Sequence, residues 1–529
     1  MCCAAELTPP PMQVTTMEME LLLYYAPWLI LAVFSVYLLG LFADSRRNLP
    51  PGPRPLPLVG NLLCLGAVPH RSLARLADRY GPVMALRLGT VTTVVVSSAD
   101  AARDFLQRHD AAFSGRFLFD GTNAFAHYAH SMVWLPATSP RWRALRKVCS
   151  GELFAPHRLD ASEPLRLRRE KVRQLVAHVA RLGSDGAPVR VGRLAFTAAL
   201  NLLSCTIFSV DLADFDDDGD GRAAPAARRE FPRLLAELNR TVGLPNLSDF
   251  YPEIARLDPQ GLRRRIEGLF RRVHGIMDEL IERRLRERAA GDGEPPAKNF
   301  LDVLLDYRSA EDGRGFDRQT LLSLLSDLFS AGTDTSASVV EWVMVELLLN
   351  PSSMAKARDE LAQVIGSKPE IEESDIAQLK YLQAIVKETF RLHPPAPFLL
   401  PHLADTTMQV RGYTVPKNAR LLVNVWAIGR DGKVWPEPEK FMPERFLEKD
   451  IDFRGRDFEL LPFGSGRRMC PGSPLAIRMV HLMLASLLHH FEWRLPTNVE
   501  KNGLDMGERL GLNLSLATPL QAIATPVLN

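Results

Sequence analysis

The sequence predicts a mainly α fold with small β-sheets, forming a single large domain preceded by one N-terminal transmembrane helix. Three observations lead there. Apolar residues recur at helical spacing over most of the 529 positions, while alternating runs are few and short. Length alone would suggest about three domains, yet no repeat and no long linker divides the chain. One stretch near the start, residues 21–43, carries no charge at all.

Composition excludes several classes. Lys and Arg total 64 against 62 Asp and Glu, a formal net charge of +2. No whole-chain basic field is present, so nucleic-acid binding is not expected. A hydrophobic fraction of 46% with 24% charged residues excludes disorder as the dominant state. Six cysteines cannot staple so long a chain.

Taken in order, residues 1–20 form a short luminal N-terminus holding Glu18 and Glu20 but no Lys or Arg. Residues 21–43 are about long enough to cross a bilayer as a helix, with Tyr24, Tyr25 and Trp28 crowding one end as interfacial aromatics do. Pro27 is a cost that membrane helices tolerate. Residues 44–57 are a basic, Pro-rich hinge containing Arg46, Arg47, Arg54 and the stiff run 49–53. The positive-inside rule then places residues 58–529 in the cytosol as the catalytic domain, on the endoplasmic reticulum membrane. A cleaved signal peptide is the competing reading, but its first region would be basic and its apolar core shorter. Residues 1–16 read as an optional extension, because Met17 could itself start the anchor.

That topology disposes of decoys. Asn239, Asn246 and Asn513 each begin a glycosylation sequon, which a cytosolic domain never presents for modification. Asp214, Asp216, Asp218 and Gly219 imitate half a calcium loop, but its twelfth position is Pro225 instead of a bidentate Glu. The stretch is expected to be an exposed acidic loop.

Runs 83–88 and 90–96, split by Gly89, predict a strand pair. Runs 408–415 and 420–425 predict further strand. The longest expected helix covers 317–350 and ends at Pro351; at 1.5 Å per residue it would span about 50 Å. Residues 289–298 read as a linker between two helices.

Chemistry concentrates in four segments. In 463–472, Gly464, Gly466 and Gly472 permit a tight turn around Cys470, so that amides can face its sulfur while Phe463 packs beside it. Arg468 is spaced to neutralise an anionic group. No second Cys or His stands at zinc spacing, and no Lys-Ser/Thr follows the glycines as a phosphate loop requires. One isolated thiolate ligand suggests haem, which brings the other four ligands itself. In the second segment Glu388 and Arg391 share a helix face at i and i+3, and Arg445 follows in Pro443-Glu-Arg-Phe446. In the third, Gly332 and Thr335 favour a local opening in the long helix, with Asp334 beside the Thr335 hydroxyl. In the fourth, Trp142 and Arg146 stand at i and i+4 and face the same way.

The cysteine segment resembles the haem-binding loop of the cytochrome P-450 monooxygenases, with Phe463, Gly466, Arg468, Cys470 and Gly472 on the family's fixed positions. The four motifs follow in the family's order, and the resemblance runs along the whole chain. Within the family the chain looks like a plant microsomal enzyme of the A-type group, most like the terpenoid-oxidising seventy-six family on the stretches 331–351, 424–431 and 450–476.

The resemblance implies the following roles. Haem b would take Cys470 as axial ligand. Trp142, Arg146 and Arg468 would reach its propionates, as would His402, for which a surface histidine is an equal reading. Ala331 and Gly332 would border the face where the co-substrate O2 binds, and Asp334 with Thr335 would relay protons there. Glu388, Arg391 and Arg445 would hold the scaffold under the cysteine loop. Electrons would come from NADPH through a separate cytochrome P-450 reductase, with cytochrome b5 as a further donor, and the basic patch of Arg141, Arg143 and Lys147 suits an acidic redox partner. Phe125, Phe329, Ala331, Phe398 and Leu514 are candidates for the wall of a pocket for a small apolar substrate, with ordinary packing an equal reading for each. The expected reaction is hydroxylation of a plant terpenoid. An alkaloid, phenylpropanoid or fatty acid as substrate competes with it, as do an NADPH-independent rearrangement and a non-catalytic haem-binding role.

Overall fold

Arg420 Nε lies 3.1 Å from Thr93 Oγ1, closing a gap of 327 positions along the chain. The two residues face each other where strand Val91–Val96 runs parallel to strand Arg420–Val423. In the computed structural model, which describes residues 24–25, 27–28, 31, 35, 48–216, 226–290, 298–309 and 312–527, this pairing is the centre of a five-stranded sheet. Its order is Val83–Leu88, Val91–Val96, Arg420–Val423, His402–Leu403, Gly115–Arg116. The first pair is the antiparallel hairpin that Gly89 signals, turning at φ 62. The last pair sets Arg116 directly opposite His402. The expected strand 408–415 is a hairpin of Met408–Val410 and Tyr413–Val415, because Arg411 and Gly412 both take positive φ.

The chain between the two halves of the sheet forms a helical body. Helix Val191–Phe208 is apolar enough to cross a membrane by composition. Most of its side chains are buried against neighbouring helices instead, which makes it a core helix. Helix Asp334–Leu349 is buried on nearly every side from Ser336 to Leu347 and runs through the centre of the body.

The single helix expected over 317–350 is two helices, Arg318–Gly332 and Asp334–Leu349, interrupted at Thr333 with ψ −69. Three hydroxyls take up backbone carbonyls four residues back: Thr333 on Phe329 at 2.8 Å, Thr335 on Ala331 at 2.5 Å and Ser336 on Gly332 at 3.2 Å. Such bonds compete with the helix ladder and bend it. Gly332 is required there by a close approach, since a Cβ would stand 2.7 Å from Leu203 Cδ1. The longest helix among the described residues is therefore Leu262–Ala289.

Of the expected membrane span, residues 24, 25, 27, 28, 31 and 35 are helical, and Tyr24, Tyr25, Trp28 and Leu31 are exposed. The rest of 21–43, residues 1–20 and 44–47, the acidic loop beyond Asp216 and most of the 289–298 linker lie outside the described residues. Asn239 and Asn246 are buried, which independently excludes a glycan on either.

Candidate active site

A cavity of about 370 Å³ lies between the Cys470 loop and the interruption in the central helix. The loop is held at several points. Cys470 N–H donates to Phe463 O at 2.9 Å, and Ser465 Oγ donates to Gly455 O at 2.7 Å. Gly464 and Gly466 supply positive φ of 70 and 66. Phe463 packs edge-on to Phe390 and Phe453. Cys470 stands just before the helix Ser473–His490, at the end whose partial positive charge favours an anion. Burial pushes its thiol pKa up, opposed by amide hydrogen bonds from Gly472 and Ser473 and by the charge of Arg146.

Three guanidinium groups border the same cavity. Arg116 enters through its strand position beside His402, and its Nη1 donates to Leu400 O at 2.7 Å. Burial, then Arg468 and Arg146, lower Arg116 to about 9. Arg468 donates to Ser114 O at 2.8 Å and Leu135 O at 2.5 Å, and its guanidinium lies 5.1 Å from the centre of the buried Trp142 ring. Burial brings Arg468 down to about 10 and lowers Arg146 as well. Arg116 Nε is buried without a partner. Such massed and incompletely paired cations are costly unless an anion joins them.

A thiol with amides aimed at its sulfur, three arginines on one side and an apolar remainder fit a dianionic iron porphyrin. Cys470 would supply the iron ligand, and Arg116, Arg146, Arg468 and Trp142 would meet the propionates. His402 is buried, which removes the surface reading. Its Nδ1 bonds Phe113 O at 2.7 Å and burial, with Arg116 next, pushes it down to about 3. A carbonyl only accepts, so Nδ1 carries the proton and Nε2 meets a carboxylate only after taking a second one.

Across the cavity stand Ala331, Gly332, Asp334 and Thr335. Burial raises the Asp334 carboxyl, opposed by a hydrogen bond from Asn239 Nδ2 at 2.5 Å. Gly466 does not border the cavity, contrary to expectation. A Cβ there would stand 2.5 Å from Asp110 Oδ1 and 2.6 Å from Leu106 O, so this glycine seats the loop against its neighbour.

Beneath the loop, Glu388 accepts two bonds from Arg391, both 2.7 Å, one from Arg445 Nε at 3.1 Å and one from Met442 N at 2.8 Å. Arg391 also donates to the carbonyls of Gly429, Pro438 and Lys440. All three side chains are buried. Phe390, next to Arg391, carries this packing to Phe463 of the loop.

Of the five expected substrate-wall residues only Ala331 lines the cavity. Phe329 lies in the core between Phe208 and Phe231, since two positions along a helix turn a side chain by about 200°. Phe125 is 38% exposed, with its ring near Arg271 and His274. Phe398 packs beside His70 on the sheet, and Leu514 is wholly buried in a strand whose N–H reaches Pro395 O. The wall is instead built by residues that periodicity does not mark, among them Leu203, Leu238, Asn239, Phe154, Val339 and Met479. Arg116 too went unmarked, because a two-residue strand has no periodicity to read.

Comparison with known proteins agrees with this geometry. The family model described as Cytochrome P450 matches residues 50–519. Geraniol 8-hydroxylase of Swertia mussotii is 46% identical over 489 residues, covering 92% of this chain and 96% of that protein. Geranylhydroquinone 3''-hydroxylase CYP76B74 of Arnebia euchroma is 44% identical over 483 residues, covering 91% and 95%. Carnosic acid synthase of Rosmarinus officinalis is 44% identical over 501 residues, covering 93% and 97%.

Proposed function

The chain belongs to the cytochrome P450 family and is a monooxygenase, and from that premise we propose that it hydroxylates a plant terpenoid at the endoplasmic reticulum membrane. The observation that carries this reading is the convergence of Cys470, the arginine cluster and the Asp334–Thr335 notch on one largely apolar cavity. The printed names of the relatives, two of them hydroxylases of geraniol-derived skeletons, support the substrate class.

The bound haem supplies the chemistry of activating O2 for insertion into a C–H bond. The chain's own residues do the rest. Cys470 donates its sulfur, with the Gly472 and Ser473 amides orienting the lone pairs that remain. Arg116, Arg146 and Arg468 balance the anionic edge, as Trp142 packs under Arg468. Thr335 Oγ1, now donating to Ala331 O, turns to the cavity to pass on a proton that Asp334 replenishes. Leu203, Leu238, Val339 and Met479 exclude water and orient an apolar substrate.

Residues 21–43 would anchor the protein, with 44–57 as hinge and 58–529 on the cytosolic side. Exposed Arg141, Arg143 and Lys147 support docking of an acidic NADPH-dependent reductase, with cytochrome b5 as a second donor. Co-expression with a reductase and a panel of monoterpenes and diterpenes tests the proposal. Hydroxylated terpenoid is the expected product; acceptance of a fatty acid or alkaloid alone would sink it. In parallel, Cys470→Ala should abolish the red-shifted carbon monoxide band of the reduced protein.

A further inference from the structure

Among the described residues, two that line the cavity carry a buried polar atom without a hydrogen-bond partner: Arg116 Nε and His127 Nδ1. Arg116 belongs to the cationic cluster already assigned. His127 does not. Its Nε2 lies 3.1 Å from Asp327 Oδ1, and both residues are less than a tenth exposed. Asp327 is itself fixed, accepting from Ser131 Oγ at 2.7 Å and 2.8 Å. The imidazole packs against Phe270 at 4.9 Å between centroids. The two residues before it, Phe125 and Ala126, both hold left-handed backbone, at φ 51 and φ 49. Consecutive strained residues persist only where their surroundings over-determine them, and here they aim the chain so that His127 reaches Asp327.

A carboxylate can only accept, so the proton of the neutral ring sits on Nε2 and Nδ1 is left as an acceptor. Asp327 precedes Thr335 by eight residues, about 12 Å along the helix axis. We infer that His127, oriented by Asp327, accepts a hydrogen bond from a substrate hydroxyl, so that the enzyme selects an apolar alcohol oxidised at a carbon remote from its O–H. The inference rests on the monooxygenase reading of the cavity and adds the functional group that the substrate must carry.

The test measures binding of geraniol, its methyl ether and the hydrocarbon myrcene to the full-length holoprotein by equilibrium dialysis. The wild type should hold geraniol about tenfold tighter than the ether, which lacks the donor. In His127→Phe that preference should vanish while myrcene binding stays within twofold. In Asp327→Asn the amide can donate to Nε2 and shift the ring proton to Nδ1. The ether should then bind as well as the alcohol, a change of preference that loss of packing would not produce. Should His127→Phe fail to yield holoprotein, Asp327→Asn decides. Equal binding of alcohol and ether by the wild type, or an undiminished preference in either variant, overturns the inference and leaves the terpenoid reading standing. Failure of all three probes to bind overturns that reading, and this inference with it.

Discussion

Asn239 Nδ2 lies 2.5 Å from Asp334 Oδ2, joining helix Ala226–Val242 to the interruption in the central helix. The same amide also reaches Ser330 O at 3.4 Å. One side chain therefore spans both sides of the break. It also opposes the effect of burial on the Asp334 carboxyl, by stabilising the ionised form.

Removing that amide has a directional consequence. In Asn239→Leu burial acts on Asp334 with less opposition, so its carboxyl stays protonated to higher pH and the limb it governs in the pH–rate profile moves up. Turnover should fall severalfold, against roughly a hundredfold for Asp334→Ala. The ratio of product formed to NADPH consumed, followed across pH, checks both variants.

Glu388 is the shared acceptor of two buried arginines. Glu388→Gln strands two cations away from water, and breaking such a cluster costs about 3–5 kcal/mol. A matching fall in the urea midpoint is expected, with loss of haem from the purified protein. Arg391→Lys should not rescue, because one ammonium cannot reproduce bonds to the carboxylate and three separate carbonyls.

Two glycines make a matched pair. Gly466 has φ 66 and backbone and carboxylate atoms of the 106–110 segment where a Cβ would go; Gly81 has φ 98 and open space around it. Gly81→Ala should cost only about 1–2 kcal/mol of backbone strain. Gly466→Ala must also displace the Cys470 loop, so it should give little protein with bound haem. Thermal melts and the haem-to-protein absorbance ratio separate the two.

Glu508 fastens the C-terminal hairpin to the first cytosolic helix through His70 at 3.0 Å and Arg71 at 2.7 Å. Burial would raise its carboxyl, but these two bonds outweigh it and hold the pKa at about 2 instead of 4.5. A depressed folded-state value gives stability that is complete above 4.5 and lost as pH falls towards 2. Its size is on the order of 2–3 kcal/mol. Urea unfolding of Glu508→Gln should show that deficit at pH 7 and a shrinking one below pH 4.5.

The chemistry of Cys470, the Glu388–Arg391 pair and the weak point near Gly332 was readable in the sequence because each is a local pattern. A glycine-flanked thiol, an i, i+3 pair and a Gly followed by hydroxyls act within a turn or two of chain. The hairpin 83–96 was readable for the same reason. The uncharged 21–43 run is equally local.

Tertiary structure alone decided which side chains face the cavity. Phe329 and Ala331 are two residues apart, yet one is core and the other is wall, because packing against Phe208 and Phe231 sets the rotation of the helix. Arg116 reached the cationic edge through a strand pairing with His402 across 286 positions of chain, and Asn239 and His127 found their partners on a helix distant in sequence. Periodicity reports that a helix has a buried face. It carries no information on which neighbour covers that face, since this depends on contacts that form only when the whole chain has closed.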